Sequence, residues 1–431
     1  MRARGGDSRL SRRGEDGRFG YLIETFIPKR RPIWCVLPIT TSFDFDYFGT
    51  DVAYGRGVAA QLEDRLAAYG IDEALVVCGR NIGANEELVR PLTAGIGDRL
   101  AGVFDETTPD KRAQTVFDGI ELVEELGVDG LIGVGGGSSL DVARQISAFR
   151  ADGRSLSDFR DAAHDGTLDP IEVNESQIPV VTIPTTFAGA DLSSGGSIVI
   201  LTASESPGSY PVRISGSTQP TLAVFDPDLY ETSPKSVLAG SAMNGFNKGL
   251  ETIYASDADP FTDAAAVHGL RYLREGFTAL DDGDSSAMER AVAGMILVQF
   301  RRKASVIHAV GHGFSRRYPI QQGLVHAIVA PHVLRHLFEV VNANRALLGE
   351  GLGVNVSSQT DEELAVAIVS AVTDVRDSFD LPTRLQSLDH VDKEDLQSIA
   401  TFILEDSNMD RAPAALDATS EWIKGILEDA W

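Results

Sequence analysis

Gly130-Leu131-Ile132-Gly133-Val134-Gly135-Gly136-Gly137-Ser138-Ser139-Leu140-Asp141 decides the fold. An apolar run as short as Gly130 to Val134 reads as a buried strand, and the periodicity from Leu140 to Phe149 reads as a helix. Three consecutive glycines between them let a phosphate approach the backbone, where a helix N-terminus offers free N–H groups and the positive end of its dipole. The stretch therefore predicts a pyrophosphate cradle at Gly135, Gly136 and Gly137. Ser138 or Ser139 is expected to cap the helix or to contact phosphate, and Asp141 to sit in the first turn, where a carboxylate is favoured. It matches neither G-x-G-x-x-G nor the Walker A pattern, so the two usual nucleotide fingerprints are absent.

Outward from this loop the same alternation continues. Residues 57–69 read as a helix, 74–78 as a strand, 116–126 as a helix and 178–184 as another buried strand. Strands separated by helices predict an α/β domain with a parallel sheet covered on both faces. After Pro234 the character changes. Segments 236–255, 262–280, 287–299, 303–312, 324–341, 361–379, 393–404 and 418–428 all carry helical periodicity, which predicts an all-α C-terminal domain. The expected organisation is a basic tail over 1–32, an α/β nucleotide-binding domain over 33–232 and a helical domain over 233–431. The tail reads as a mobile segment, an early start or a basic binding arm.

With 431 residues, 43% of them hydrophobic, the chain can bury two cores. Its formal charge of −25 repels nucleic acid and anionic lipid, so neither is an expected partner. Only seven of its 38 basic residues are lysine, against 63 acidic ones, a surface suited to a salt-rich cytoplasm or to an acidic mesophile. Cys35 and Cys78 both lie in apolar runs and are expected to be buried free thiols. No apolar run reaches membrane-span length and no secretory leader is visible, so a cytoplasmic location is expected.

Several further motifs follow in order: Tyr54-Gly55-Arg56-Gly57, Ile183-Pro184-Thr185-Thr186, Val224-Phe225-Asp226-Pro227 and Asp259-Pro260-Phe261-Thr262-Asp263. His308-Ala309-Val310-Gly311-His312, Gly323 and Pro331-His332-Val333 complete the series. Together with the glycine loop, from Phe43 to Arg335, they resemble the iron-containing alcohol dehydrogenases, a branch of the dehydroquinate synthase-like superfamily. The resemblance implies a nicotinamide-dependent oxidoreductase of small alcohols or carbonyls, a homodimer, with its site between the α/β and helical domains. It also implies that Gly135 to Ser139 hold the cofactor pyrophosphate and that Thr185 and Thr186 lie near the nicotinamide. At the family's ribose-binding acid this chain has Gly79, followed by Arg80. Losing a carboxylate and gaining a guanidinium favours NADP(H), with NAD(H) still possible.

The family's metal ligands are an Asp, a His four residues later, and two His fourteen apart. Here those positions read Asn244, Lys248, His308 and Gln322. Amides are weak donors and an ammonium repels a cation, so no metal site is expected. A register using His326 or His332 is disfavoured by Gly323 and Pro331-His332-Val333. The expectation is that Lys248 takes the metal's place as electrophile and acid, with Asn244, His308 and Gln322 orienting the substrate. His312 matches a non-ligating family histidine beside the nicotinamide and is the expected proton relay; Glu251 is expected to form a structural ion pair. The family's usual Gly-Thr-Gly-Ser after Pro-Thr-Thr is replaced by residues 187–196, faintly similar to dehydroquinate synthases. A lyase of that kind, which would need Arg316 and Arg317 for a phosphorylated substrate, and an inactive nucleotide-binding relic are the alternatives.

Overall fold

In the computed structural model residues 42–47 and 49–431 are described, apart from 172, 173 and 209; Cys35 and the basic tail lie outside the described residues. The strands are β1 (Ser42–Tyr47), β2 (Thr50–Gly55), β3 (Ala74–Val77), β4 (Leu100–Phe104), β5 (Gly130–Gly135), β6 (Val180–Pro184), β7 (Ile198–Leu201), β8 (Val212–Ile214) and β9 (Leu222–Phe225). Among them run helices α1 (Glu63–Ala68), α2 (Arg80–Gly83), α3 (Glu86–Ile96), α4 (Ala113–Leu126), α5 (Gly137–Asp152) and α6 (Leu156–Asp165). Then follow α7 (Pro227–Glu231), α8 (Lys235–Tyr254), α9 (Pro260–Phe277), α10 (Ala287–Gln299), α11 (Val306–Arg317) and α12 (Gln322–Val340). The chain closes with α13 (Arg345–Gly351), α14 (Asp361–Asp377), α15 (Leu396–Leu404) and α16 (Ser420–Asp429).

The main sheet runs β1-β2-β9-β6-β5-β3-β4, parallel throughout except for β1, which pairs antiparallel with β2 at one edge. Strands β3, β5, β6 and β9 are buried along their whole length, which is why they read as unbroken apolar runs rather than as alternations. Side chains still alternate between faces. Leu75, Val77 and Leu131 pack with Val116, Ile146 and Phe149 under α4 and α5, whereas Val76, Ile132 and Val134 pack with Leu66, Leu88 and Leu92 under α1 and α3. Cys78 is buried on the second face, where burial pushes its thiol up to about 11 and keeps it inert.

Beyond β9 every regular element is helical. Long-range order in this half comes from buried helix faces: Leu250, Leu270, Leu273, Val298, Val310, Ile328 and Leu334 are all essentially inaccessible. Several expectations need correction. The helix expected over 57–69 is a short 3-10 turn, Val58–Gln61, followed by α1. The helix after the glycine loop begins at Gly137, not Leu140, so Asp141 is its fifth residue and lies past the first turn. The β7–β8 hairpin was not anticipated; its strands form a separate two-stranded sheet, with Val199 of β7 also bridging to Arg112.

Candidate active site

The glycine loop is shaped by backbone geometry that side chains resist. Gly135 ends β5 at φ +125°, a region essentially reserved for glycine, and turns the chain so that Gly136 becomes the N-cap of α5. No side chain bonds the first-turn amides of this 16-residue helix, so neither Ser138 nor Ser139 caps it. Ser139 is instead buried with its hydroxyl 2.7 Å from that of Thr107, and Ser138 is half-buried. Uncapped N–H groups at a helix start beside a side-chain-free loop suit an anionic pyrophosphate. Thr185, whose N–H donates to Gly135 O at 3.0 Å, ties the end of β6 to this loop, and its buried Oγ1 has no protein partner. Thr186 is buried next to it, against Gly136.

Asp141 serves the adjoining loop rather than the helix dipole. It pairs with Lys111 at 2.8 Å and with Arg144 at 2.5 Å. Arg144 is wholly buried and also donates to Ala190 O at 2.9 Å and Gly195 O at 3.0 Å, pinning residues 187–196 onto α5. At the end of β3, Gly79 is the N-cap of α2, and the exposed Arg80 meets Glu106 at 2.9 Å.

Lys248, on α8, is buried, and its ammonium donates to the carbonyls of Ala188 and of Gly189, the latter at 2.9 Å. Gly189 adopts φ +66°, and a Cβ there would stand 2.5 Å from Lys248 Nζ. The loop's backbone is thus shaped around the amine. Burial, then the charge of Arg302, pull the Lys248 amine down to about 7, despite the opposing charge of Asp191. Asp191 is itself buried and raised by its desolvation; Gln299 donates to it at 2.7 Å. Gly189→Ala is expected to dislodge the amine and lower turnover at least tenfold while leaving the circular dichroism spectrum and nucleotide binding intact; unchanged turnover would show that the amine's placement is immaterial.

His308, on α11, is oriented by Glu251, one turn after Lys248 on α8. The Glu251 carboxylate pairs with His308 Nδ1, accepts the His308 backbone N–H at 3.0 Å and accepts the Tyr254 hydroxyl at 3.2 Å. Glu251 is thus partnered with a candidate site residue, through hydrogen bonds rather than the expected ion pair, since the imidazole is held neutral. Nε2 of His308 is left buried and without a protein partner, as is Oδ1 of Asn244 one turn before Lys248. Burial, then the neighbouring charges of Lys248, His312 and Arg302, hold the His308 imidazole well below its usual range, so it is neutral. Burial pushes Glu251 up to about 8.

His312 lies four residues along α11 and is partly exposed, with Nδ1 3.0 Å from Asp406 and 3.2 Å from the Asn408 amide. Burial alone would raise Asp406; the His312 hydrogen bond, the Asn408 N–H and the nearby cations outweigh it and hold the carboxylate low. Gln322, at the start of α12, donates to Ser315 at 3.3 Å, and Ser315 donates to the His312 carbonyl at 3.2 Å. Lys248, His308 and His312 therefore stand within reach of one another's charge, with Asn244 a turn away and Gln322 linked through Ser315.

Sequence reasoning gave no role to Asp191, Asp406 or Glu106, and considered His326 only in a disfavoured metal-ligand register. His326 is fully buried, its ring centroid 4.6 Å from that of His308, and neither ring nitrogen has a protein partner. It packs against Gly311, where any side chain would collide with it. The i, i+15 spacing of His326 to Gly311 carries no local signal, and Asp406 is 94 residues from His312.

Among the described residues no group of three or more His, Cys, Asp or Glu side chains is placed to hold a metal ion. The amine of Lys248 and the amides of Asn244 and Gln322 are poor ligands for a divalent cation.

Comparison with known proteins places this geometry. Residues 49–227 match the model of the iron-containing alcohol dehydrogenase family, and residues 238–431 match that of the family's C-terminal domain. The NAD-dependent methanol dehydrogenase of Bacillus methanolicus is 27% identical over 385 residues, covering 87% of this chain and 97% of that one. Lactaldehyde reductase of Escherichia coli K12 is 24% identical, covering 88% and 97%. A crystal structure of 1,3-propanediol oxidoreductase superposes with a TM-score of 0.78 at 21% identity, over 91% of this chain and all of that one, which shows the shared fold. The chain belongs to the iron-containing alcohol dehydrogenase family.

Proposed function

We propose that the protein is a nicotinamide-dependent alcohol dehydrogenase or carbonyl reductase that works without a bound metal, with the Lys248 amine in the metal's catalytic role. The observation that carries this reading is the buried Lys248 amine, held by two backbone carbonyls beside His308 and titrating near neutrality. A neutral amine has two N–H bonds, and Ala188 and Gly189 take both. The third position then alternates between an N–H that can protonate a substrate oxygen and a lone pair that can take the proton back. As an ammonium the group also stabilises negative charge developing on that oxygen in a site from which water is excluded.

The bound nicotinamide would accept or supply the hydride. The α5 amides over Gly135 to Ser139 would hold its pyrophosphate, Thr185 and Thr186 would border its ring, and Gly79 with Arg80 would border the adenosine ribose, favouring NADP(H). Asn244, His308 Nε2 and Gln322 would orient an alcohol or carbonyl substrate, and His312 with Asp406 would exchange its proton with solvent. The same reading takes the boundary between nucleotide and helical domains at 232/233 and the enzyme as a cytoplasmic homodimer. Arg316 and Arg317, which the lyase alternative would need for a phosphorylated substrate, face Asp406 and Asp395 at 4.0 and 2.9 Å.

Elemental analysis after purification in high salt, with and without added Fe²⁺ and Zn²⁺, tests the proposal alongside NADPH fluorescence titration and turnover in chelator. Substoichiometric metal with chelator-resistant turnover is expected. Near-stoichiometric metal whose removal abolishes turnover would overturn the Lys248 mechanism, and nucleotide binding without turnover on any alcohol or carbonyl would point to the relic.

A further inference from the structure

We propose that Glu106, reaching across from the end of β4, sets the choice between NADP(H) and NAD(H) by competing for Arg80; this rests on the nucleotide reading above. Selectivity for a ribose hydroxyl over a 2′-phosphate usually comes from a carboxylate just after the strand that precedes the ribose. Here that place is Gly79, and a Cβ on it would stand 3.2 Å from the Thr107 carbonyl, so even the root of a side chain presses on the neighbouring segment. The carboxylate comes instead from that segment. Cys78 N–H donates to Phe104 O at 2.9 Å, Thr107 N–H to Cys78 O at 3.1 Å, and Gly79 and Glu106 form an antiparallel bridge. This register sets Glu106 alongside Gly79, with Oε2 2.9 Å from Arg80 Nη2.

The pair's chemistry is two-sided. Arg80 and Glu106 are 77% and 53% exposed, so their mutual attraction is screened and an incoming phosphate can displace the carboxylate from the guanidinium. A 2′-phosphate gains Arg80 but is repelled by Glu106; a ribose 2′-hydroxyl can donate to Glu106 and asks nothing of Arg80. Arg80 alone would make a strong NADP(H) site, and Glu106 moderates it.

The test is the ratio of kcat/KM for NADPH to that for NADH in the full-length enzyme. Glu106→Gln is expected to raise the ratio about tenfold and Arg80→Ala to lower it about tenfold, each change equivalent to one modest charged contact. Glu125→Gln, an exposed acid on α4, controls for the general loss of one negative charge and should leave the ratio unchanged. An unmoved ratio in Glu106→Gln, or an equal shift in Glu125→Gln, overturns the assignment of Glu106. Failure of the wild type to bind either nucleotide in fluorescence titration would instead sink the nucleotide reading itself.

Discussion

Lys248→Met is expected to lower turnover about a thousandfold, the scale of losing both a positioned proton donor and the charge that stabilises a developing alkoxide. The pH profile separates this from mere damage. Carbonyl reduction needs the ammonium, so kcat/KM should fall as pH rises through about 7; alcohol oxidation needs the free amine and should rise through the same value. Lys248→Met should show neither limb. Lys248→Arg should not rescue, because a guanidinium stays protonated and its flat fork does not match two adjacent carbonyls shaped around one nitrogen. Nucleotide titration and circular dichroism establish that the variants are folded. Turnover within threefold of wild type, or an unaltered pH profile, would remove Lys248 from the mechanism.

The same residue predicts a stability trend of defined sign. Its folded pKa, about 7, lies below the unfolded 10.5, so between these values the unfolded chain binds the extra proton and stability due to this group rises with pH. Below about 7 the folded protein carries a buried ammonium, and this contribution is lost.

How much of this was readable beforehand follows from the range of each signal. The glycine loop and the apolar strands β3, β5 and β6 were legible because burial on both faces and a strand-to-helix turn leave local marks within a dozen residues. The altered residues at the family's ligand spacings, Asn244, Lys248 and Gln322, were legible because those spacings lie within α8 and between α11 and α12. What holds Lys248 in place was not legible. Its partners are backbone carbonyls of Ala188 and Gly189, 60 and 59 residues away, and a carbonyl has no residue identity to read. Asp141 was misplaced for a related reason: its carboxylate answers to Lys111 and the buried Arg144, not to the dipole of its own helix. Glu106 was hidden because strand adjacency, not sequence adjacency, brings it to Arg80.

The second large effect is expected at Glu251. Glu251→Ala removes a fully buried carboxylate and strands the His308 imidazole, the His308 N–H and the Tyr254 hydroxyl in the core, for a loss of about 3–5 kcal/mol in urea unfolding. Turnover should fall with it, since His308 loses the partner that fixes the orientation of its ring. Glu251→Gln is the more informative change, because it keeps an oxygen acceptor but cannot titrate. Glu251 is pushed up to about 8 against an unfolded value near 4.5, so its contribution is complete below 4.5 and fades as pH rises through 8. His308, held low, contributes in the opposite sense, but only below its unfolded 6.5. From pH 6.5 to 8.5 the comparison therefore reads the Glu251 carboxyl together with its attraction for Lys248, whose amine the Glu251 charge raises. Wild type should lose stability relative to Glu251→Gln across that window, on the order of 1–2 kcal/mol. Parallel unfolding midpoints at pH 6.5 and 8.5 would mean that Glu251 is already ionised at neutral pH. His308 would then be a neutral imidazole donating Nδ1–H to an ionised carboxylate, because a proton held on His308 across this window would itself produce the slope.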